Sequence, residues 1–203
     1  MRKLALSDEI LMQIEKPARY IGNELNSVVK DDTSQIRFAM CFPDVYEIGM
    51  SHLGIQILYD MFNRREDTWC ERVYSPWPDL HKIMKEQNIP LFGLESQEPI
   101  KNFDFVGLTL QYEMCYTNIL QILDLAQIPL LSADRGDEDP IILGGGPCSY
   151  NPEPIADFFD GCRNIIINRS KCRYRAIFFV TDFIQRRDIN ALYFCRLMQK
   201  CLS

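Results

Sequence analysis

Histidine is scarce in this chain. There are two in 203 residues, His52 and His81. Neither stands in a Ser/Cys–His–acid set with supporting context, so nucleophilic catalysis of that kind has no footing. No stretch approaches the ~18–20 consecutive apolar residues of a transmembrane helix. Residues 1–15 interleave Arg2, Lys3, Asp8 and Glu9 with apolar positions, which excludes the hydrophobic segment of a signal peptide. No Gly-x-Gly-x-x-Gly follows the first apolar run, which argues against a generic nucleotide- or flavin-binding α/β domain. The eight cysteines are irregularly spaced and do not read as a disulfide framework. A reducing cytoplasm is the expected compartment.

What is present is enough for a sizeable core: 47% hydrophobic and 25% charged residues. The net charge of −6 hides an asymmetry. Residues 162–203 hold nine Lys/Arg against Asp182 and Asp188, a balance of +7. The first 161 residues then hold 13 basic and 26 acidic side chains, a balance of −13. That acidity disfavours nucleic-acid binding by the first part. The last 42 residues also carry four of the eight cysteines and no proline.

Hydrophobic periodicity predicts an alternating order. Residues 4–15 read as a short helix with Ser7 as a candidate N-cap, ended by Pro17. Residues 36–42 read as a buried strand. Residues 50–62 read as a helix whose apolar face is Met50, Leu53, Ile57, Leu58 and Met61. A second strand is expected at 69–74, and a helix to Gln87 that Asp79 caps. An extended piece at 89–93 and a third strand at 103–110 follow, the latter apolar on both faces. A helix at 114–127 presents Ile119, Ile122, Leu123 and Ala126. A fourth strand at 141–143 runs into three glycines, and a helix starts at 154–159. The fold class is therefore α/β: a Rossmann-like parallel sheet of about five strands in flavodoxin-type order, with helices on both faces. Residues 1–35 form an N-terminal helix and ordered loop, 36–161 the α/β domain, and 162–203 an atypical basic, Cys-rich tail.

Three strand ends carry candidate ligand chemistry, because open α/β sheets bind ligands beyond the carboxyl ends of their strands. The first is Asp44-Val45-Tyr46-Glu47-Ile48-Gly49. The second is Thr109 and Gln111, a hydroxyl and an amide that could hold a polar ligand edge; alternatively Thr109 is an ordinary strand residue and Gln111 caps the next helix. The third is Gly144-Gly145-Gly146, which either lets the backbone approach a ligand or forms a tight turn. Cys41, Cys70 and Cys115 read as small buried hydrophobes, and Cys148 as the cysteine to watch for reactivity. His81 is expected on the surface.

Together these strand ends resemble the cobalamin-binding domain, with Asp-x-His-x-x-Gly after strand one, Ser-x-Leu after strand three and Gly-Gly after strand four. Residues 42–54 (Phe-Pro-Asp-Val-Tyr-Glu-Ile-Gly-Met-Ser-His-Leu-Gly) are more closely similar to a group of B12-binding-domain radical SAM proteins. So are residues 17–24 (Pro-Ala-Arg-Tyr-Ile-Gly-Asn-Glu), 110–120 and 144–154. The resemblance runs from about residue 10 to Phe159. It implies cobalamin held at Asp44, Tyr46, Gly49, His52, Thr109, Gln111, Gly144, Gly145 and Gly146. It also implies a radical SAM barrel elsewhere, with a [4Fe–4S] cluster and S-adenosylmethionine.

Two departures qualify that expectation. Tyr46 stands where the family has its cobalt-ligating His, and a protonated phenol is a poor ligand. His52, six residues on, is either a substitute ligand or a helix-start residue. The cluster motif Cys-x-x-x-Cys-x-x-Cys is missing, so no protein-bound cluster of that type follows from this chain. The resemblance also stops where the charge changes sign. Residues 162–203 are expected to be a frame change or altered gene end. The alternative is a genuine appendage, with 163–167 as the fifth strand and 176–197 as basic amphipathic helices that touch a membrane or a partner. Reading the encoding DNA in three frames separates the two.

Three functions remain open. One is a binding module for a corrinoid or related small-molecule cofactor. Another is the non-catalytic part of a radical SAM enzyme whose barrel lies on a longer or separate chain. The third is a structural or interaction domain that has lost the cofactor.

Overall fold

The structure, a computed structural model, describes residues 4–30 and 36–162. Its centre is a parallel sheet of four full strands: β1 (Ile36–Phe42), β2 (Thr68–Tyr74), β3 (Phe105–Thr109) and β4 (Ile141–Gly145). The order is β2-β1-β3-β4, and a two-residue piece, β5 (Gly161–Cys162), pairs with β4 at the edge. The sheet thus has four strands of working length where about five were expected. The expected fifth strand at 163–167 and the helices at 176–197 lie outside the described residues.

Side chains alternate along each strand and split the core in two. One face sends Ala39, Cys41, Val73, Val106, Leu108 and Ile142 against α4 (Pro78–Gln87) and α5 (Tyr116–Leu125). The other sends Phe38, Met40, Phe42, Cys70, Tyr74 and Phe105 against α3 (Leu53–Asn63). Cys41, Cys70 and Cys115 are buried, as expected of small apolar side chains. Among the described residues no helix is long and apolar enough to cross a membrane.

Several helices differ from the periodicity reading. The N-terminal helix shrinks to α1 (Asp8–Leu11), where Ser7 does cap by accepting from Ile10 N. The helix expected at 50–62 starts later, as α3 at Leu53, and a separate short helix, α2 (Tyr46–Gly49), precedes it in the loop after β1. The face also differs. Leu53 and Ile57 are 67% and 50% exposed, whereas Ile55, Tyr59 and Phe62 are buried. This helix is apolar on two sides, so periodicity found a stripe without deciding which side faced the sheet. Residues 154–159 form only a 3-10 turn, Ala156–Phe158. Asp79 lies in the first turn of α4, whose N-cap is Trp77.

The outer edge of β2 is closed. The Asn63 side-chain amide binds both the N–H and the carbonyl of Cys70. The Arg72 N–H donates to Glu95 Oε2, and the Arg72 carbonyl accepts from Leu94 N. Lys30 Nζ donates to the Thr68 carbonyl.

Candidate functional site

The ladders of the sheet show where it opens. β1 pairs with β2 as far as Phe42 and Tyr74, and β3 pairs with β4 as far as Thr109 and Gly145. Between β1 and β3 the pairing ends one step earlier, at Cys41 and Leu108. These two neighbours are where the connections diverge: the chain leaves β1 for one side of the sheet and β3 for the other. That is the topological switch point of a doubly wound sheet.

Asp44 stands just beyond the split. Its Oδ1 accepts from Val45 N at 2.7 Å, and its Oδ2 accepts from the Tyr112 hydroxyl at 2.5 Å. A second bond crosses the same gap, from Asn118 Nδ2 to the Pro43 carbonyl at 2.9 Å. Thr109 closes β3 and is 8% exposed, yet its Oγ1 has no hydrogen-bond partner. A buried hydroxyl left unpaired is unfavourable, and the Ser75 hydroxyl is in the same state.

The glycines divide their roles. Gly144 and Gly145 extend β4, and the Gly145 carbonyl accepts from Leu110 N at 2.7 Å. A Cβ on Gly145 would meet nothing within 4 Å, so the surface there is open. Gly146 adopts φ 137°, and a Cβ on it would lie 2.6 Å from the Leu110 carbonyl oxygen. Only glycine fits a left-handed residue at that approach.

The loop after β1 is anchored inward. Tyr46 donates to Glu24 Oε1 at 2.8 Å, and its ring stands edge-on to Tyr74 with centroids 5.4 Å apart. Burial, reinforced by the Glu24 carboxylate, pushes the Tyr46 phenol up to about 12. It therefore stays protonated as a donor and offers no anionic oxygen to a metal. Arg72 gives its guanidinium to Glu24 Oε2 and to Glu95 Oε1, each at 2.6 Å. Arg19 holds Glu47 Oε1 at 2.8 Å and lies over the Trp77 ring at 5.1 Å. The segment 17–24 is thus the clamp on this loop. Gly49 is buried against the Tyr74 ring, which leaves no room for a Cβ.

His52 is the N-cap of α3. Its Nδ1 accepts from Ile55 N at 3.3 Å, and its ring packs against Phe42 at 5.2 Å between centroids. An imidazole that accepts at Nδ1 carries its proton on Nε2, so neither nitrogen offers a free lone pair. His52 is a helix-start residue in this geometry. His81 lies in α4 and is partly exposed. Gln111 is half-buried in the loop after β3. Cys148 is half-buried, and burial raises its thiol, followed by Glu113, which keeps it from being a ready thiolate.

Asp44, Thr109 and Gly144–Gly146 therefore gather at the switch point, whereas Tyr46 and His52 are committed elsewhere. Sequence reasoning assigned no role to Tyr112 or to the carboxylates Glu24 and Glu95. The signal for Tyr112 was its place beside Gln111 beyond the third strand. A cavity of about 490 Å³ lies at the opposite end of the sheet, around Lys101, Phe103 and Asp137. It is a shallow acidic recess, in which Lys101 Nζ stands 3.7 Å from Asp139 Oδ1, and no strand end of the kind that binds ligands opens into it.

An uncharacterized protein of Methanocaldococcus jannaschii is 30% identical over 124 residues, which cover 60% of this chain and 22% of that protein. The match therefore spans about a fifth of the relative's length. Residues 54–164, more than half of the chain, match the family described as radical SAM proteins, N-terminal. This chain belongs to the N-terminal family of radical SAM proteins.

Proposed function

We propose that this domain holds a corrinoid or a related amide-bearing ligand at the split between β1 and β3, on behalf of a radical SAM protein. The observation that carries the reading is the buried, unpartnered Thr109 hydroxyl at the carboxyl end of the central strand. Asp44, just past the end of the adjacent strand β1, supplies a carboxylate acceptor, and the open backbone of Gly145 lets a large ligand lie close. The chain's contribution is to bind and orient: Thr109 donates to a ligand carbonyl, Asp44 accepts from a ligand N–H, and the glycine turn excludes side chains from the approach. A corrinoid, when bound, supplies cobalt-centred group transfer. In this reading Thr109, Asp44 and the glycines would meet its periphery, and cobalt would receive no side chain from the 44–52 loop, because Tyr46 and His52 are both engaged. The [4Fe–4S] cluster and S-adenosylmethionine belong, in this reading, to a barrel on a longer or separate chain.

The second reading is a structural domain that kept the fold without the cofactor. The inward Tyr46–Glu24 bond favours it.

Mixing purified protein with hydroxocobalamin, removing free ligand and recording the visible spectrum decides between them. Retained corrinoid absorbance, unchanged in His52→Ala, is expected. Absence of retained absorbance leaves the structural reading.

A further inference from the structure

The opening at the switch point is spanned by two hydrogen bonds of different kinds. Asn118 belongs to α5 and grips backbone, the Pro43 carbonyl. Tyr112 belongs to no regular element. It sits between the end of β3 and the 3-10 turn Glu113–Cys115, on extended backbone with φ −156° and ψ 156°. The residue is 39% exposed, and its hydroxyl reaches across to Asp44 Oδ2. A phenol on two rotatable bonds can leave Asp44 without disturbing either strand. Three residues earlier, at the end of β3, stands Thr109 with its unpartnered hydroxyl, paired across the sheet with the open backbone of Gly145.

We propose that Tyr112 is a latch over the ligand crevice, and that a carboxamide-bearing ligand opens it by taking its place on Asp44. The step is an exchange of hydrogen bonds with no proton transferred. The phenol gives up Asp44 Oδ2 and turns to water. The ligand amide donates an N–H to Asp44 Oδ2 and accepts from Thr109 Oγ1. One charge-assisted bond is broken, one of the same kind forms, and the buried hydroxyl gains the partner it lacks. The latch selects for ligands that carry both an amide donor and an acceptor, because a bare anion would meet the Asp44 carboxylate. The ligand half of this inference rests on the proposed function; the latch itself does not.

Tyr112→Phe tests it, since the variant keeps the ring and removes only the hydroxyl. The near-UV circular dichroism of the variant confirms that it folds. In the ligand-free protein, backbone amides of residues 43–50 and 110–116 should exchange on the order of tenfold faster in the variant, with the sheet interior unchanged. Equal exchange in both proteins overturns the latch. With hydroxocobalamin as the probe, the variant should bind on the order of tenfold more tightly, because the closed state no longer competes. Equal or weaker binding beside a measurable wild-type affinity overturns the displacement. If neither protein retains hydroxocobalamin, the corrinoid reading and the exchange of partners on Asp44 fall together. Amide exchange alone then decides whether Tyr112 is a latch.

Discussion

Tyr46 and Glu24 lie 22 residues apart in the chain and 2.8 Å apart in the fold, phenol to carboxylate. Tyr46 is thus a tether that holds the N-terminal segment against the loop after β1. Tyr46→Phe should therefore weaken the fold by about 1–2 kcal/mol, the range for a hydrogen bond to a partly exposed charged acceptor. The check is a urea midpoint that falls with an unchanged slope. There is also a pH signature. Burial works to raise the Glu24 carboxyl, but Tyr46 and Arg72 together hold it below its ordinary range. Its stabilisation is present above the unfolded-state value and is lost as pH falls through the folded one. Without the phenol the folded value moves back up, so that acid loss should be smaller and should be complete at a higher pH.

Thr109→Val separates stability from binding. The methyl replaces a hydroxyl that has no partner in the folded chain, with little change of shape. The variant should be unchanged or about 1 kcal/mol more stable in thermal unfolding, and should retain less hydroxocobalamin than wild type. A loss of stability would mean that the hydroxyl serves the fold rather than a ligand.

Glu95 supplies a pH dependence of opposite sign. It is 1% exposed, and burial, opposed by Arg72, pushes its carboxyl up to about 7 from an ordinary 4.5. The Arg72 guanidinium is itself buried, but Glu95 and Glu24 keep it firmly cationic. An acid whose folded value is raised favours the fold most at low pH. Stability falls as pH climbs from about 4.5 to about 7 and then levels, by about 3 kcal/mol at most. Glu95→Gln lacks this component. The wild-type minus variant difference in unfolding free energy should therefore decline across that window. A flat difference would show that Arg72 keeps Glu95 ionised throughout.

The strands were legible because their signals are local. Residues 36–42 are an apolar run bounded by a polar connector and Pro43, and they form β1 over Ile36–Phe42. Ile119, Ile122, Leu123 and Ala126 are all buried, as their spacing predicts. Of the three glycines, Gly146 marked the turn after β4, where a positive φ requires it, whereas Gly144 and Gly145 lie in the strand. The partners of the site residues were not legible. Nothing local says that Tyr46 turns to Glu24, that His52 spends Nδ1 on Ile55 N, or that Tyr112 crosses to Asp44. Each of these follows from tertiary placement of segments distant in sequence, or from a rotamer choice within a turn. A motif fixes where a residue stands, and its neighbours decide what its polar atoms are free to do.

The side chains that seal β2 have a consequence for assembly. An edge strand with free amides is a template for a strand from another molecule. Here Asn63, Glu95 and Lys30 occupy the outward backbone groups from Thr68 to Arg72, and Leu94 takes one more. The sheet therefore accepts new strands from one direction only, beyond β4. Self-association by edge pairing is blocked at one side, and any polypeptide that lengthens this sheet must join at the side where Gly161–Cys162 already begins to do so.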